Sequence, residues 1–425
     1  MKYADYKEYL SPALAKTTEL VFEKGKGTYI TDVNGDEYLD FVQGIAVNAL
    51  GHSHPKVVKA IQDQVAKLTT ASFNLGSYPT TIRLAERLAK LLPGDLEVTF
   101  FSNGGAEAND GAIKLAKAAT RRSSIIAFRG SFHGRTIGAA SITGSNSKMR
   151  KHYEPLMGGV YFAPYPHAYR WGKNGADPDV CAEDCLDELQ KIFDHLVPPD
   201  DVAAIIFEPV MGEGGYVVPP VKFVKALREI CTKHGILLIF DEIQTGFART
   251  GKMFACQNFD VVPDIIVLGK AIAGGLPMSA FVSTKEIMGK WEPGMHGTTF
   301  GGHPVCAAAA HAVLDALEEE KILDNVNKMG PYIKERALEL KAKFPVIGDV
   351  RGLGMMVAME FVNPEDRSPN AAAFNKVRTY CLENKLLILG CGVYGNGFRF
   401  ATPLNVSKEE LDKGFAILEK ALEAL

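Results

Sequence analysis

Between residues 98 and 284, short apolar runs rich in β-branched residues alternate with longer amphipathic stretches. The runs are VTFFSN (98–103), SIIAFRG (124–130), VAAIIFEPV (202–210), ILLIFDE (236–242), DIIVLGK (264–270) and SAFVST (279–284), and each ends in polar or glycine residues. Helical patterns such as AEANDGAIKLAKAATRR and VKFVKALREICTKHG lie between them. This alternation is the pattern of a mainly parallel sheet covered by helices, an α/β fold. In an open parallel sheet a ligand sits at the carboxyl ends of the strands, which sets Asn103, Glu208, Asp241 and Lys270 around one crevice.

The two ends of the chain read differently. GTYITDVNGDEYLDF carries two strand-like runs around Asn34-Gly35, a hairpin signal. Beyond a helix at about 307–320 come the helical NKMGPYIKERALELKAKF, the strand-like GMMVAMEF, another helix, LLILG, FRFATP and a closing helix, an α+β order. The expected division is a large domain over 56–315, inserted into a smaller α+β domain built from 1–55 and 316–425.

Composition narrows the function classes. A chain of 425 residues with 47% hydrophobic and 23% charged residues buries a large core, and its formal net charge of −3 with no basic stripe gives no reason to expect nucleic acid as a partner. The opening MKYADYKEYL has the character of neither a signal nor a transit peptide, and GILLIF is far too short to span a bilayer, so a cytoplasmic location and no membrane association are expected. Of seven cysteines only Cys181 and Cys185 are close; their spacing puts them on one helix face, read as helix surface rather than a metal pair. His52 and His54, in a turn beside Pro55, are read as bonding backbone groups rather than zinc.

Three segments carry chemistry. In FFSNGGAEANDGAIKLAK a strand runs through Gly104 and Gly105 into a helix, whose first-turn N–H groups and dipole favour an anion such as a phosphate; a tight turn that binds nothing is the alternative. In ILLIFDEIQTGFARTG, Asp241 and Glu242 end an almost wholly apolar strand, where a carboxylate needs a hydrogen bond or a cation such as a protonated pyridine nitrogen, or else caps the next turn. In PDIIVLGKAIAGGLP, Lys270 follows an apolar run that would favour the neutral, nucleophilic amine, unless its ammonium reaches water. A phosphate cradle, a buried acid and a buried lysine on adjacent strands together match a pyridine phosphate bearing an aldehyde. The acid would keep the ring nitrogen protonated.

The chain resembles the class III (ω-amino acid) aminotransferases, fold-type I enzymes dependent on pyridoxal 5′-phosphate, over essentially its whole length. The resemblance runs through GIAVNALGHSHP, FSNGGAEA, SFHGRT, EPVMGEGG, DEIQTGFARTG, GKAIAGGLP, HGTTFGG and RFATPLN. It implies that Lys270 carries the cofactor as a Schiff base and moves the proton during transfer. Asp241 would pair with the ring nitrogen, Ile243 and Phe132 would sandwich the ring, and Gln244 would bond the ring hydroxyl. Gly105 and Ala106 would give backbone N–H groups to the phosphate. Thr299 would reach the phosphate of a neighbouring copy, making the active unit a homodimer or larger. His133 would orient or pack rather than act as a base. Members of the family often carry Ser or Thr where this chain has Gly104, and Ser102 is the candidate to compensate.

The same resemblance implies the substrates, a small-molecule amino donor and a 2-oxo acid acceptor. Arg399 would bind an α-carboxylate by a bidentate fork, and Glu213 would pair with it when the substrate lacks one. Arg135 and Ile45 match the carboxylate anchor and an apolar pocket residue of enzymes acting on 4-aminobutyrate. The expected activity is therefore 4-aminobutyrate:2-oxoglutarate aminotransfer, with acetylornithine aminotransfer and amino-acid racemisation or epimerisation as the alternatives. LLILGCGVYGNG holds Gly390, Gly392 and Gly395, the letters of a dinucleotide fingerprint, but FRFATPLN after it reads as a strand where that fingerprint needs a helix.

Overall fold

The structure, a computed structural model, describes residues 2–425. Near the N-terminus β1 (Phe22–Lys26), β2 (Tyr29–Asp32) and β3 (Glu37–Asp40) form an antiparallel meander. The expected hairpin joins β2 to β3. Asp32 Oδ1 accepts the N–H groups of Asn34 and Asp36 at 2.9 and 3.0 Å, and Gly35 takes φ +87°, a left-handed value that glycine adopts without steric cost.

The central sheet has seven strands: β4 (Val98–Ser102), β5 (Ser124–Phe128), β6 (Val160–Ala163), β7 (Val202–Phe207), β8 (Leu237–Asp241), β9 (Ile265–Leu268) and β10 (Ser279–Ser283). Their spatial order is β4-β10-β9-β8-β7-β5-β6. All pairings are parallel except those of β10, which is antiparallel to both β4 and β9. All six apolar runs read from the sequence are strands of this sheet. Both faces are buried, which is why the runs are apolar without alternation. One face, with Ile126, Phe128, Leu238, Phe240, Ile266 and Leu268, belongs to the main core, where the helices Pro178–His195, Val221–His234 and Pro304–Glu319 pack. The other face, with Ile125, Ala127, Ile239, Ile265 and Val267, packs against Ala108, Ala112 and Ala116 of the helix Gly105–Thr120. Each fully buried Ile or Leu contributes about 1.5–3 kcal/mol, so two-sided burial fixes the strand positions firmly.

Cys181 and Cys185 do share one helix face, but that face is the buried one, with Leu189, Ile192 and Phe193, rather than helix surface. Amphipathic spacing sends the pair inward, where free thiols pack as small hydrophobes.

The C-terminal region contributes β11 (Ile347–Leu353), β12 (Met356–Phe361), β13 (Leu386–Leu387), β14 (Leu389–Cys391) and β15 (Gly397–Phe400). Four of these form the sheet β11-β12-β15-β14, while β13 pairs in parallel with β3. Gly390 lies in β14, and Gly392 and Gly395 lie in the turn to the antiparallel β15, a hairpin with no helix to receive a pyrophosphate. Among the described residues no helix is long and apolar enough to cross a membrane.

Candidate active site

Register aligns the carboxyl ends of three adjacent strands. Phe207 of β7 lies beside Phe240 of β8, and Asp241 beside Val267 of β9, so Glu208, Asp241 and Lys270 come to one edge of the sheet. With Asn103 from the end of β4 they line a cavity of about 870 Å³. Phe132, Arg135, Gln244, Ile45, Glu213 and Arg399 line it too, as do Gly105, Ala106 and Ile243. The structure thus brings these residues around one cavity. Thr299 lies outside it, exposed on the surface.

Asp241 is almost wholly buried and accepts three hydrogen bonds. Its Oδ2 takes Asn109 Nδ2 at 2.8 Å and His133 Nδ1 at 2.7 Å, and its Oδ1 takes the N–H of Ile243 at 3.0 Å. Asn109, which also donates to the His133 carbonyl at 2.8 Å, was not singled out in the sequence. An amide on the otherwise apolar face of the ANDGAIKLAK helix was its signal. Lys270 follows β9 after one glycine and has φ +44°. Burial holds its ammonium pKa below the usual lysine range, opposed by the negative charge of Asp241 and assisted by Arg399. Glu208 accepts the N–H of Phe132 at 2.8 Å and of Gly212 at 2.9 Å, and burial, with a further push from Asp241, raises its pKa to about 7.

The helix Gly105–Thr120 points its N-terminus into the cavity, and first-turn N–H groups have no partner within their own helix. At Gly105 a Cβ would come within 2.7 Å of Ile243, so glycine there lets the helix start close to that side chain. At Gly104 a Cβ would meet nothing within 4 Å; the missing hydroxyl leaves open space. Ser102 does not fill it: it is buried in β4 and is not part of the cavity wall. Instead Ser279 of β10 donates to the Gly104 carbonyl at 2.9 Å and fixes the turn.

At the substrate side Arg399 of β15 is 3% exposed and donates through Nη2 to Glu213 at 2.8 Å, while its Nε and Nη1 have no partner. The turn carrying Glu213 is held from behind: Arg351 Nε donates to the Gly215 carbonyl at 2.8 Å and the Gly392 N–H to the Glu213 carbonyl at 2.8 Å. Arg135 is exposed, its guanidinium 5.7 Å from the Phe132 ring centre, and pairs with no carboxylate among the described residues. Arg378, also in the cavity wall, was not anticipated; on a surface helix it looks like an ordinary charge. His52 and His54 bond side chains rather than the backbone groups expected. His52 Nε2 meets Asp40 at 2.8 Å and His54 Nε2 meets Glu320 at 3.2 Å, because both turns face buried or neighbouring carboxylates.

These features fit a pyridine phosphate. The helix N-terminus suits the phosphate, Asp241 a ring N–H, and Lys270 an aldehyde. Gln244 Oε1, buried without a partner, suits a ring hydroxyl. Comparison with known proteins agrees. The family model "Aminotransferase class-III" matches residues 11–422. A probable 4-aminobutyrate aminotransferase of Bacillus subtilis is 39% identical, covering 98% of this chain and 96% of its own length. An alanine/serine racemase of Pyrococcus horikoshii is likewise 39% identical, over 98% of this chain and 89% of its own. The crystal structure of an amine transaminase from an uncultivated Pseudomonas species, with pyridoxal phosphate bound, superposes with a TM-score of 0.91 at 32% identity, covering 98% of this chain and 97% of the other. The chain belongs to the class III aminotransferases, with the α/β architecture of fold type I and pyridoxal 5′-phosphate as its cofactor.

Proposed function

We propose that this enzyme transfers the amino group of an ω-amino acid, 4-aminobutyrate foremost, to 2-oxoglutarate. The observation that carries the reading is the Arg399–Glu213 pair, a buried guanidinium whose counter-ion is a side chain more than a third exposed. With Glu213 in place the pair is neutral and admits a substrate end without a carboxylate. When Glu213 turns away, Arg399 presents its planar fork to the α-carboxylate of glutamate or 2-oxoglutarate. Arg135, free of any carboxylate partner among the described residues, takes the remaining carboxylate of either substrate.

The bound cofactor supplies an electrophilic carbon and an electron sink. Lys270 would hold it covalently, and its desolvated amine would carry the proton between the substrate carbon and the cofactor carbon. Asp241, fixed by Asn109 and His133, would meet the ring nitrogen, Ile243 and Phe132 would enclose the ring, and Gln244 would meet its hydroxyl. Gly105 and Ala106 would bind the phosphate with backbone N–H groups. The reading includes a homodimer in which Thr299 serves the neighbouring copy, and a small domain of 1–55 and 316–425 around a 56–315 core.

The test is the visible absorbance of the purified holoenzyme. Loss of the cofactor band on adding 4-aminobutyrate alone, and its return on adding 2-oxoglutarate, is the expected result. A band indifferent to 4-aminobutyrate overturns the donor. The relative at 39% identity that racemises alanine and serine supports a second reading; inversion of an α-amino acid with no oxo acid present would establish it.

A further inference from the structure

Four consecutive residues at the mouth of the cavity have left-handed backbone: Gln43 at φ +48°, Gly44 at +63°, Ile45 at +67° and Ala46 at +61°. Only one is glycine. Ile45 is the least suited, because a β-branched side chain at positive φ is a steric outlier. It is also 47% exposed while lining the cavity, so packing does not compensate the strain. Such strain persists only where the surroundings over-determine it.

The surroundings form a closed ring. Asp40, buried at the end of β3, accepts through Oδ1 the N–H groups of Val42 and Gln43 at 2.8 and 3.1 Å. Gln43 Nε2 returns a bond to the Asp40 carbonyl at 3.0 Å. The other carboxylate oxygen takes His52 Nε2 at 2.8 Å, and His52 Nδ1 takes Asn48 Nδ2 at 3.3 Å. The Asn48 N–H closes the ring on the Gln43 carbonyl at 3.0 Å. Asn48 also packs against the segment after Lys270, since a Cβ at Gly275 would meet its Oδ1 at 2.9 Å. None of Asp40, His52 and Asn48 lines the cavity.

We propose that Asp40, His52 and Asn48 are positioning residues that hold the left-handed turn so that Ile45 sets the depth of the substrate pocket, selecting short unbranched carboxylates over longer ones. The proposal rests on substrate carboxylates entering this cavity, but not on which amine reacts. Asp40→Asn breaks the ring without changing its size. Asn48 holds His52 Nδ1 as an acceptor, so His52 Nε2–H would face an amide N–H or lose its partner.

The experiment measures dissociation constants of butyrate, pentanoate and hexanoate on cofactor-loaded enzyme, from perturbation of the visible band. These acids cannot react, so the result is independent of whether 4-aminobutyrate is the donor. Ile45→Ala should tighten hexanoate relative to butyrate by about tenfold, the scale of pocket discrimination by a methylene or two. Asp40→Asn should shift the same ratio in the same direction by roughly three- to tenfold, and add less than about twofold in the Ile45→Ala background, because it acts through that side chain. Asn48→Ala, which leaves the Asp40 bonds to the turn intact, should do the same more weakly and carries the test if Asp40→Asn does not fold. A ratio unchanged by both variants overturns the proposal. So does a shift as large in Ile45→Ala as in the parent, which marks a general loosening.

Discussion

Asp40 and Asp241 are built alike. Each is the last residue of a β-strand, each is nearly inaccessible, and each bonds a histidine, at 2.8 and 2.7 Å. They differ in what stands in front of them. Asp241 forms part of the cavity wall, and its strand neighbours and Asn109 fix where its charge lies. Asp40 stands behind a turn, and its carboxylate holds backbone N–H groups in a conformation the side chains resist. One acid–histidine pair fixes a charge and the other fixes a shape. Parallel strands bring Glu208 and Asp241 to a common edge by register alone, whereas reaching over the mouth of the pocket takes an irregular turn and a hydrogen-bonded ring to hold it.

The comparison can be broken at either end. Lys270→Ala should abolish the visible cofactor band and lower turnover by about 10⁴-fold or more with every amine, read by absorbance and steady-state rates. Asp241→Asn keeps the shape and removes the charge. It should lower kcat by about 10²–10³-fold while leaving the hexanoate-to-butyrate affinity ratio unchanged, in contrast to Asp40→Asn, which shifts that ratio. A shifted ratio in Asp241→Asn would erase the distinction between charge and shape.

A pH experiment sharpens the charged side. Glu208 has a folded pKa of about 7 against an ordinary 4.5, so the protonated form is favoured in the fold. Its contribution to stability is complete below pH 4.5 and is lost as pH rises through 7, a difference of about 3 kcal/mol. Relative to the parent, Glu208→Gln should therefore gain about that much in denaturant unfolding free energy between pH 4.5 and pH 8, on top of a constant offset from a changed hydrogen bond. A flat difference would show that burial does not hold the proton. The smallest effect is expected of Ser279→Ala, which frees the Gly104 carbonyl. It should cost about 1 kcal/mol, seen as a roughly fivefold weaker apparent affinity for the cofactor.

The sheet was legible because strands buried on both faces leave long apolar runs. β6 escaped notice because its four residues lie at the sheet edge, and β1 because FEKGK is charged and mostly exposed. Strand direction was not legible at 279–284, since an apolar run has no sense of direction; β10 proved antiparallel. At the site, strand-end residues could be placed by topology alone. Asn109 could have been found as a polar residue on a buried helix face. The Gln43–Ala46 turn could not, because only Gly44 of its four left-handed residues announces that conformation, and the bonds that impose it come from the end of β3 and from residues 48 and 52.

The pairing of β3 with β13 bears on the order in which the protein can be completed as it is synthesised. Leu39 waits for Leu386, almost the whole chain later, and Arg399 is made later still. Every cavity residue from the central sheet, through Lys270, exists by the time β10 has emerged. A growing chain can therefore assemble the phosphate and lysine half of the cavity well before it owns a carboxylate gate. Contacts this distant in sequence close slowly, and the Arg399 side of the cavity can be completed only after the last strands have been made.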